Sequence, residues 1–334
     1  MINIDESIDK LKTVVTLWAD ENPDEYRAAK EMIGISGRKK QCGAVDSDRK
    51  KVCYHDEYYT SKEQIEYLVG LYDPAVFHGK YVYCNCDAPW SEIYKYFRDN
   101  FTRLKLRHLT ATAISDDNRE WRGTRSDYDG KTERIMTMDW SGSFDSAESR
   151  KILSECDMCI TNPPFSLITP YIKLILESGK QFMTFMSNLN LTYYSVMIPY
   201  SEKKLYVIQS RDGGLGGFKG QINYVVVSNI PGSDELERRI FKGVRYIEYD
   251  PEIHRPADNV PGAIAINSVS AGIPLYYGGW IYCPTTLLSD LRWDRENFDV
   301  VIPPVKWRDI TVDGKRPFRR LPIKLKNKDL KPTL

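Results

Sequence analysis

The chain has 334 residues, 42% hydrophobic and 28% charged, with a formal net charge of +1. That suits a globular protein with a large core and one or two domains, and it excludes a polycation as a whole. No apolar run approaches 20 residues, which argues against a membrane span. The polar, acidic start from Met1 to Lys12 lacks the apolar core of a secretory signal, so a cytoplasmic location is expected.

In chain order, residues 6–34 are expected to form one or two polar helices, with Ile8, Leu11, Val14, Val15 and Leu17 on an approximate stripe. Residues 37–56 are basic and rich in small polar side chains, and they read as a loop or linker. A helix is expected over 64–71 and a strand over 80–86. Ser91 then caps a helix through Tyr94, Tyr96 and Phe97. Strands follow at 108–114 and 134–138, a helix at 146–155 and a strand at 158–161. Ser166 begins another helix, through Ile172, Leu174 and Ile175, which closes near Gly179, and residues 181–186 form a further strand.

Strands at 205–209 and 222–227 flank the glycine-rich segment 213–220. No helix separates them, so they predict a hairpin with one antiparallel strand at the sheet edge. Alternation of strands and helices implies an α/β fold with a mostly parallel sheet. Such a sheet binds ligands beyond the carboxyl ends of its strands, and Asp87 and Asn162 both fall at such ends. From residue 231 the rhythm breaks. Pro251, Pro256, Pro261, Pro274, Pro284, Pro303 and Pro304 mark a second, more irregular module.

Seven cysteines are present: Cys42, Cys53, Cys84, Cys86, Cys156, Cys159 and Cys283. The odd count suggests free thiols. Cys84-x-Cys86 and Cys156-x-x-Cys159 can be read as zinc ligands, but both pairs lie in apolar runs. Strand alternation would also send Cys156 and Cys159 to opposite faces, so buried thiols are the better reading. The four histidines, His55, His78, His108 and His254, are scattered and form no triad or metal arrangement. Lys219-Gly220 lacks the Ser or Thr of a phosphate-binding loop, so 213–220 reads as a flexible loop near the active-site face.

Charge is uneven along the chain. Arg38-Lys39-Lys40 and Arg49-Lys50-Lys51 are basic, as is the tail carrying Lys306, Arg308, Lys315, Arg316, Arg319, Arg320, Lys324, Lys326, Lys328 and Lys331. A polyanion partner and a merely solvated surface both fit this pattern.

The strongest local signal is Asn162-Pro163-Pro164-Phe165 after the apolar strand 158–161. An exocyclic aromatic amine is a poor nucleophile because its lone pair is conjugated into the ring. Holding both N–H bonds frees that lone pair, and two acceptors are needed: the Asn162 side-chain oxygen and a backbone carbonyl, that of Pro163. Consecutive prolines stiffen the turn and offer no competing N–H. Phe165 can stack on a base swung out of its duplex. The plain alternative is a rigid turn that starts a helix. Asp87 can bind an ammonium or cap a helix. Thr60, in Asp56-Glu57-Tyr58-Tyr59-Thr60, can cap a helix or approach a carboxylate. Phe144 can pack on a ring, and Ser143 or Asp145 can hydrogen-bond its edge.

These stretches together resemble the EcoRI-type adenine-specific DNA methyltransferase family. They are Asp56–Thr60, Val82 through Asp87-Ala88-Pro89, Tyr96-Phe97 and Asp157 through Thr161-Asn162-Pro163-Pro164-Phe165-Ser166. Ile273-Pro274, Pro284-Thr285-Thr286-Leu287-Leu288 and Asn297-Phe298 extend the likeness to about residue 320. The resemblance implies a Rossmann-like methyltransferase fold, S-adenosylmethionine as donor and double-stranded DNA as partner. It places catalysis on Asn162, Pro163, Pro164 and Phe165, and donor contacts on Tyr59, Thr60, Asp87, Pro89 and the Ser143-Phe144-Asp145 segment. The family's Gly-Asp-Phe appears here as Gly142-Ser143-Phe144.

The expected organisation is an N-terminal extension over 1–55, a catalytic domain over 56–230 and a target-recognition region over 231–334. Lys219, Lys306, Arg308, Lys315, Arg316, Arg319 and Arg320 are expected on DNA, and no metal is expected. The competing expectations are methylation of RNA or of protein glutamine, and a decayed scaffold that only binds DNA.

Overall fold

Three runs, Tyr-Val-Tyr-Cys, Met-Cys-Ile-Thr and Gln-Phe-Met-Thr-Phe-Met-Ser, have no polar face to give to water and end up as neighbouring interior strands. The computed structural model describes residues 60–114, 122–209, 224–289, 292–299, 310–317, 320–326 and 330–331. The expectations for 6–34 and 37–56, the basic runs near the N-terminus, Tyr59, the 213–220 loop with Lys219, and Lys306, Arg308 and Arg319 lie outside these residues. His55–Leu334 is one compact unit.

The main sheet comprises β1 (Tyr81–Cys84), β2 (His108–Ile114), β3 (Gly123–Tyr128), β4 (Glu133–Thr137), β5 (Met158–Thr161), β6 (Gln181–Ser187), β7 (Tyr206–Gln209) and β8 (Tyr224–Ser228). Their order is β4-β3-β2-β1-β5-β6-β8-β7. The central strands β2, β1, β5 and β6 pair in parallel. β3 and β4 fold antiparallel onto β2, and β8 pairs antiparallel with both β6 and β7. The sheet is thus mixed rather than mostly parallel.

The antiparallel strand is also not at the edge. β8 inserts beside β6 because Tyr-Val-Val-Val-Ser is buried at all its positions and needs a partner on each side, which leaves the edge to β7. β3 matches no expected strand, since Gly-Thr-Arg-Ser-Asp-Tyr is polar and only Gly123 and Ser126 are buried.

Helices α1 (Lys62–Gly70), α2 (Glu92–Asp99), α3 (Ala147–Glu155) and α4 (Ile168–Ser178) follow the expected positions closely. Ser61, Ser91 and Ser146 cap the first three with side-chain hydrogen bonds. α4 closes at Gly179, whose φ of +66° is the left-handed cap glycine favours. It starts two residues later than expected, because Phe165–Leu167 first makes a 3-10 turn. α5 (Tyr194–Ser201) contains Pro199, which hides it from a sequence reading. α6 (Ser233–Ile240) completes the main-sheet layers.

One face of the sheet carries Val82, Cys84, Met158, Ile160 and Met183 against Ile65 and Leu68 of α1, Ile93 and Phe97 of α2 and Leu236 of α6. The other carries Tyr83, Cys159, Phe182 and Val227 against Ile152 of α3, Ile172 and Ile175 of α4 and Val196 of α5.

That second core continues without a break into the C-terminal segment. There β9 (Tyr246–Ile247), β10 (His254–Pro256), β11 (Ala263–Ile266), β12 (Ile273–Pro274), β13 (Trp280–Pro284), α7 (Thr286–Ser289), β14 (Phe298–Asp299) and β15 (Arg320–Leu325) follow in turn. They form a five-stranded sheet, β10-β11-β13-β15-β14, and a β12-β9 pair, which is more regular than the proline-rich sequence suggests. Arg295 ties this segment to the main sheet. It pairs with Glu237 of α6 at 2.6 Å and lies over the Tyr200 and Tyr206 rings at 3.8 and 4.7 Å.

Cys156 and Cys159 do not diverge. Both enter the same core, because Cys156 ends α3 and precedes β5, so strand alternation does not apply to it. Burial pushes the Cys156 thiol up to about 12 and drives the Cys159 and Cys84 thiols up as well. All three stay protonated at neutral pH, as buried apolar thiols do. Among the described residues no three His, Cys, Asp or Glu side chains converge as metal ligands.

Candidate active site

Strand order reverses between β1 and β5. The chain leaves β1 toward β2 on one side and leaves β5 toward β6 on the other. Such a switch point opens a crevice at the carboxyl ends of the strands. The loop 85–90 after β1 and the turn 162–164 after β5 meet there. Thr161, the last residue of β5, joins them: its hydroxyl accepts from the Cys86 N–H at 3.0 Å and donates to Asp87 Oδ2 at 2.5 Å. The same carboxylate oxygen accepts the Asn162 N–H at 3.3 Å. The Asn162 side chain is oriented from a third segment, because its Nδ2 donates to Thr60 Oγ1 at 3.3 Å. That bond makes Oδ1 the acceptor end of the amide, and this oxygen is itself buried.

A cavity of about 290 Å³ opens at this point. Thr60, Asn85, Asp87 and Asn162 supply its polar wall, and Ile114, Phe144, Pro164 and Leu167 its apolar wall. Trp90, 59% exposed, stands at the mouth. Asn85 is 1% exposed. Its Oδ1 accepts from the Tyr171 hydroxyl at 3.4 Å, while among the described residues its Nδ2 has no hydrogen-bond partner. A buried amide donor left so is unfavourable by about 1–3 kcal/mol, and an acceptor-bearing ligand in the cavity would relieve that. Burial raises the Tyr171 phenol well above its usual range, so it donates as a neutral hydroxyl.

The expected residues divide. Asn162, Pro164, Thr60, Asp87 and Phe144 reach the cavity wall. Phe144 is held edge-on against Tyr171, with ring centroids 5.4 Å apart. Pro163 and Pro89 are buried beneath their loops and do not line the cavity. Ser143 and Asp145 turn to each other, Ser143 Oγ donating to Asp145 Oδ1 at 2.5 Å, and neither lines the cavity.

Phe165 departs most from expectation. It is 7% exposed and packs in the core shared by α1, α2 and the sheet rather than facing the cavity.

Of the basic residues, Lys315 and Arg316 are exposed on a tight turn at Asp313-Gly314. Arg320 is not a surface cation: it is 7% exposed in β15, with its guanidinium donating to Asn267 Oδ1 at 3.2 Å.

Sequence reasoning passed over Asn85, Trp90 and Gly142. Asn85 was legible as the one amide in the run Tyr81–Cys86. Gly142 has φ +76°, and a Cβ there would lie 2.2 Å from the Ala113 carbonyl oxygen. Only glycine lets the loop that carries Phe144 come this close to the end of β2.

Residues 47–242 match the family model described as the adenine-specific methyltransferase EcoRI. The chain belongs to this EcoRI-type methyltransferase family. Within curated proteins, it is 27% identical over 308 residues to the type II methyltransferase M.EcoRI of Escherichia coli, covering 81% of this chain and 93% of that protein. It is 34% identical over 160 residues to the type II methyltransferase M.MpnI of Mycoplasma pneumoniae, covering 48% of this chain and 49% of that protein. M.MgeORF184P of Mycoplasma genitalium is 29% identical over 160 residues, with the same two coverages. The match thus spans about half the length of the two mycoplasma relatives. No solved structure matches this chain. Among the described residues no helix is long and apolar enough to cross a membrane.

Proposed function

We propose that this methyltransferase moves a methyl group from S-adenosylmethionine to the N6 amine of an adenine extruded from double-stranded DNA. The observation that carries this reading is the link Thr60–Asn162–Asp87–Thr161 on one cavity wall at the carboxyl edge of β1 and β5. Family membership supports adenine as the target and DNA as the polymer. The order β2-β1-β5-β6 with an antiparallel strand inserted beyond β6 supports a Rossmann-like methyltransferase sheet.

The cavity residues fit the donor. Asp87 supplies a carboxylate for an ammonium, the Asn85 amide nitrogen a buried hydrogen-bond donor, and Phe144 and Ile114 an apolar slot for a purine ring. When bound, S-adenosylmethionine supplies an electrophilic sulfonium methyl. Asn162 Oδ1 and a backbone carbonyl of the proline turn that it begins accept the two N–H bonds of the target amine and turn its lone pair toward the methyl donor. Thr60 holds the Asn162 amide in the orientation this requires. Rigid acceptors placed before the reaction need no reorganisation during it, and that is the larger part of their effect. Residues 231–334 are assigned to DNA contact, with Lys315 and Arg316 on phosphates.

The test is methyl incorporation into duplex DNA, RNA and protein by the wild type and Asn162→Ala. The expected result is adenine methylation of duplex DNA alone, lost in the variant while DNA binding largely persists. Near wild-type transfer by Asn162→Ala would refute the assigned centre, and incorporation only into RNA or protein would refute the substrate.

A further inference from the structure

A second cavity, of about 440 Å³, lies in the C-terminal segment. Arg292 and Arg320 line it together with Ser268, Ser270, Thr285 and Thr286. None of the described residues that line it is acidic. Arg320 projects from β15 beside Asn267, and Arg292 donates to the Gly243 carbonyl at 3.3 Å. The Ser268 and Ser270 hydroxyls lie 2.6 Å apart on the exposed turn that follows β11. Burial pulls the Arg320 pKa below its usual value, the mark of a guanidinium separated from bulk water. A dish lined by two arginines and four hydroxyl-bearing residues, with no carboxylate among its described lining residues, suits an oxyanion.

Its place in the fold narrows the choice. Thr286 opens α7, which packs on the 3-10 turn Asn188–Thr192. That turn leaves the carboxyl end of β6, and β6 neighbours β5, whose own carboxyl end carries Asn162. The dish therefore sits on the same edge of the molecule as the candidate active site.

We propose that this dish holds one backbone phosphate of the substrate DNA, with Arg292 and Arg320 on its charge and the Ser268, Ser270, Thr285 and Thr286 hydroxyls around it. The assignment rests on the DNA methyltransferase reading. It gives the duplex a fixed point near the catalytic turn, on residues that differ from the exposed cations Lys315 and Arg316.

The experiment is the dissociation constant of a methylatable duplex over a range of sodium chloride concentrations. It compares the wild type with Arg292→Gln, Ser268→Ala/Ser270→Ala and Arg320→Lys, with thermal melting alongside to report folding. Each neutralised phosphate contributes about −0.9 to the slope of log affinity against log salt. Arg292→Gln is expected to make the slope shallower by about that amount and to weaken binding at low salt by roughly tenfold. The serine pair, which carries no charge, should weaken binding severalfold with its slope kept. Arg320→Lys keeps the charge and loses the planar fork, and a severalfold loss is expected. If the wild type binds the duplex while folded Arg292→Gln keeps both slope and affinity, the dish is not a phosphate site and the enzymatic reading stands. If the wild type binds no duplex at any salt, the substrate reading falls and this site with it.

Discussion

Asp87 and Asn162, 75 residues apart in sequence, are joined by a hydrogen bond from the Asn162 backbone to the Asp87 carboxylate at 3.3 Å. The group assigned to the donor's ammonium thus also fixes the main chain of the residue assigned to the target amine. On these assignments, loading of one half of the site would be coupled to the shape of the other.

Asp87→Asn is expected to weaken S-adenosylmethionine binding by about 10- to 100-fold, since a charge-assisted hydrogen bond contributes about 1.5–3 kcal/mol. Titration calorimetry measures this directly. Unchanged donor affinity would remove Asp87 from the donor site.

Thr60→Val deletes the hydroxyl that receives Asn162 Nδ2. The lost bond corresponds to about 0.5–1.5 kcal/mol, so a 2- to 10-fold fall in kcat is expected under saturating DNA and donor. Thr60→Ser keeps the hydroxyl and should recover most of the rate. A valine variant as fast as wild type would mean that other contacts hold the amide.

Arg295→Met leaves Glu237 behind in a site where the two side chains are only 7% and 12% exposed. Burial raises the Glu237 pKa and Arg295 opposes that rise. Removing one partner from such a pair is unfavourable by about 3–5 kcal/mol, while replacing both by apolar groups is close to neutral. Urea denaturation should therefore find Arg295→Met much less stable and Arg295→Met/Glu237→Leu near wild type. Additive losses in the double variant would contradict this.

Asp127 tests the electrostatics of the β2–β3 pair. Its burial alone would raise the carboxyl pKa. Hydrogen bonds with His108, Arg125 and Thr110 outweigh that and hold it well below the usual range. A depressed folded-state value contributes stability that is present above the unfolded pKa, near 3.9, and lost as pH falls through the folded value. Asp127→Asn is thus expected to lower Tm by about 2–4 °C at pH 7, with the gap to wild type narrowing as pH falls below about 4. A gap independent of pH would place the effect in packing instead.

The sequence legibility of these features follows their locality. β5 was readable because its apolar run is contiguous, β2 because its threonines and apolar residues alternate, and α2 and α3 because Ser91 and Ser146 announce them. Asn162 stood out because two prolines pin its turn just past a buried strand. β3 was invisible because a polar strand is made by its partners, and the position of β8 between β6 and β7 is a choice of pairing that no local pattern encodes. The orientation of Phe165 into the core, the Thr60–Asn162 bond and the gathering of Arg292 with Arg320 all depend on segments far apart in the chain. Asn85 could have been found, since a single amide in a buried apolar run calls for a partner that its own strand cannot supply.

The cavity walls come from Thr60, from side chains within 85–93, from Ala113 and Ile114, from Gly142 and Phe144, and from Asn162, Pro164 and Leu167, and no two of these stretches are sequence neighbours that fold together. A pocket gathered in this way has no subdomain that could keep it partly formed, so donor binding and global folding must be thermodynamically linked. Saturating donor should then raise the melting temperature of the whole unit in proportion to RT ln(1 + [L]/Kd), and proteolytic fragments of the chain should show no donor affinity of their own.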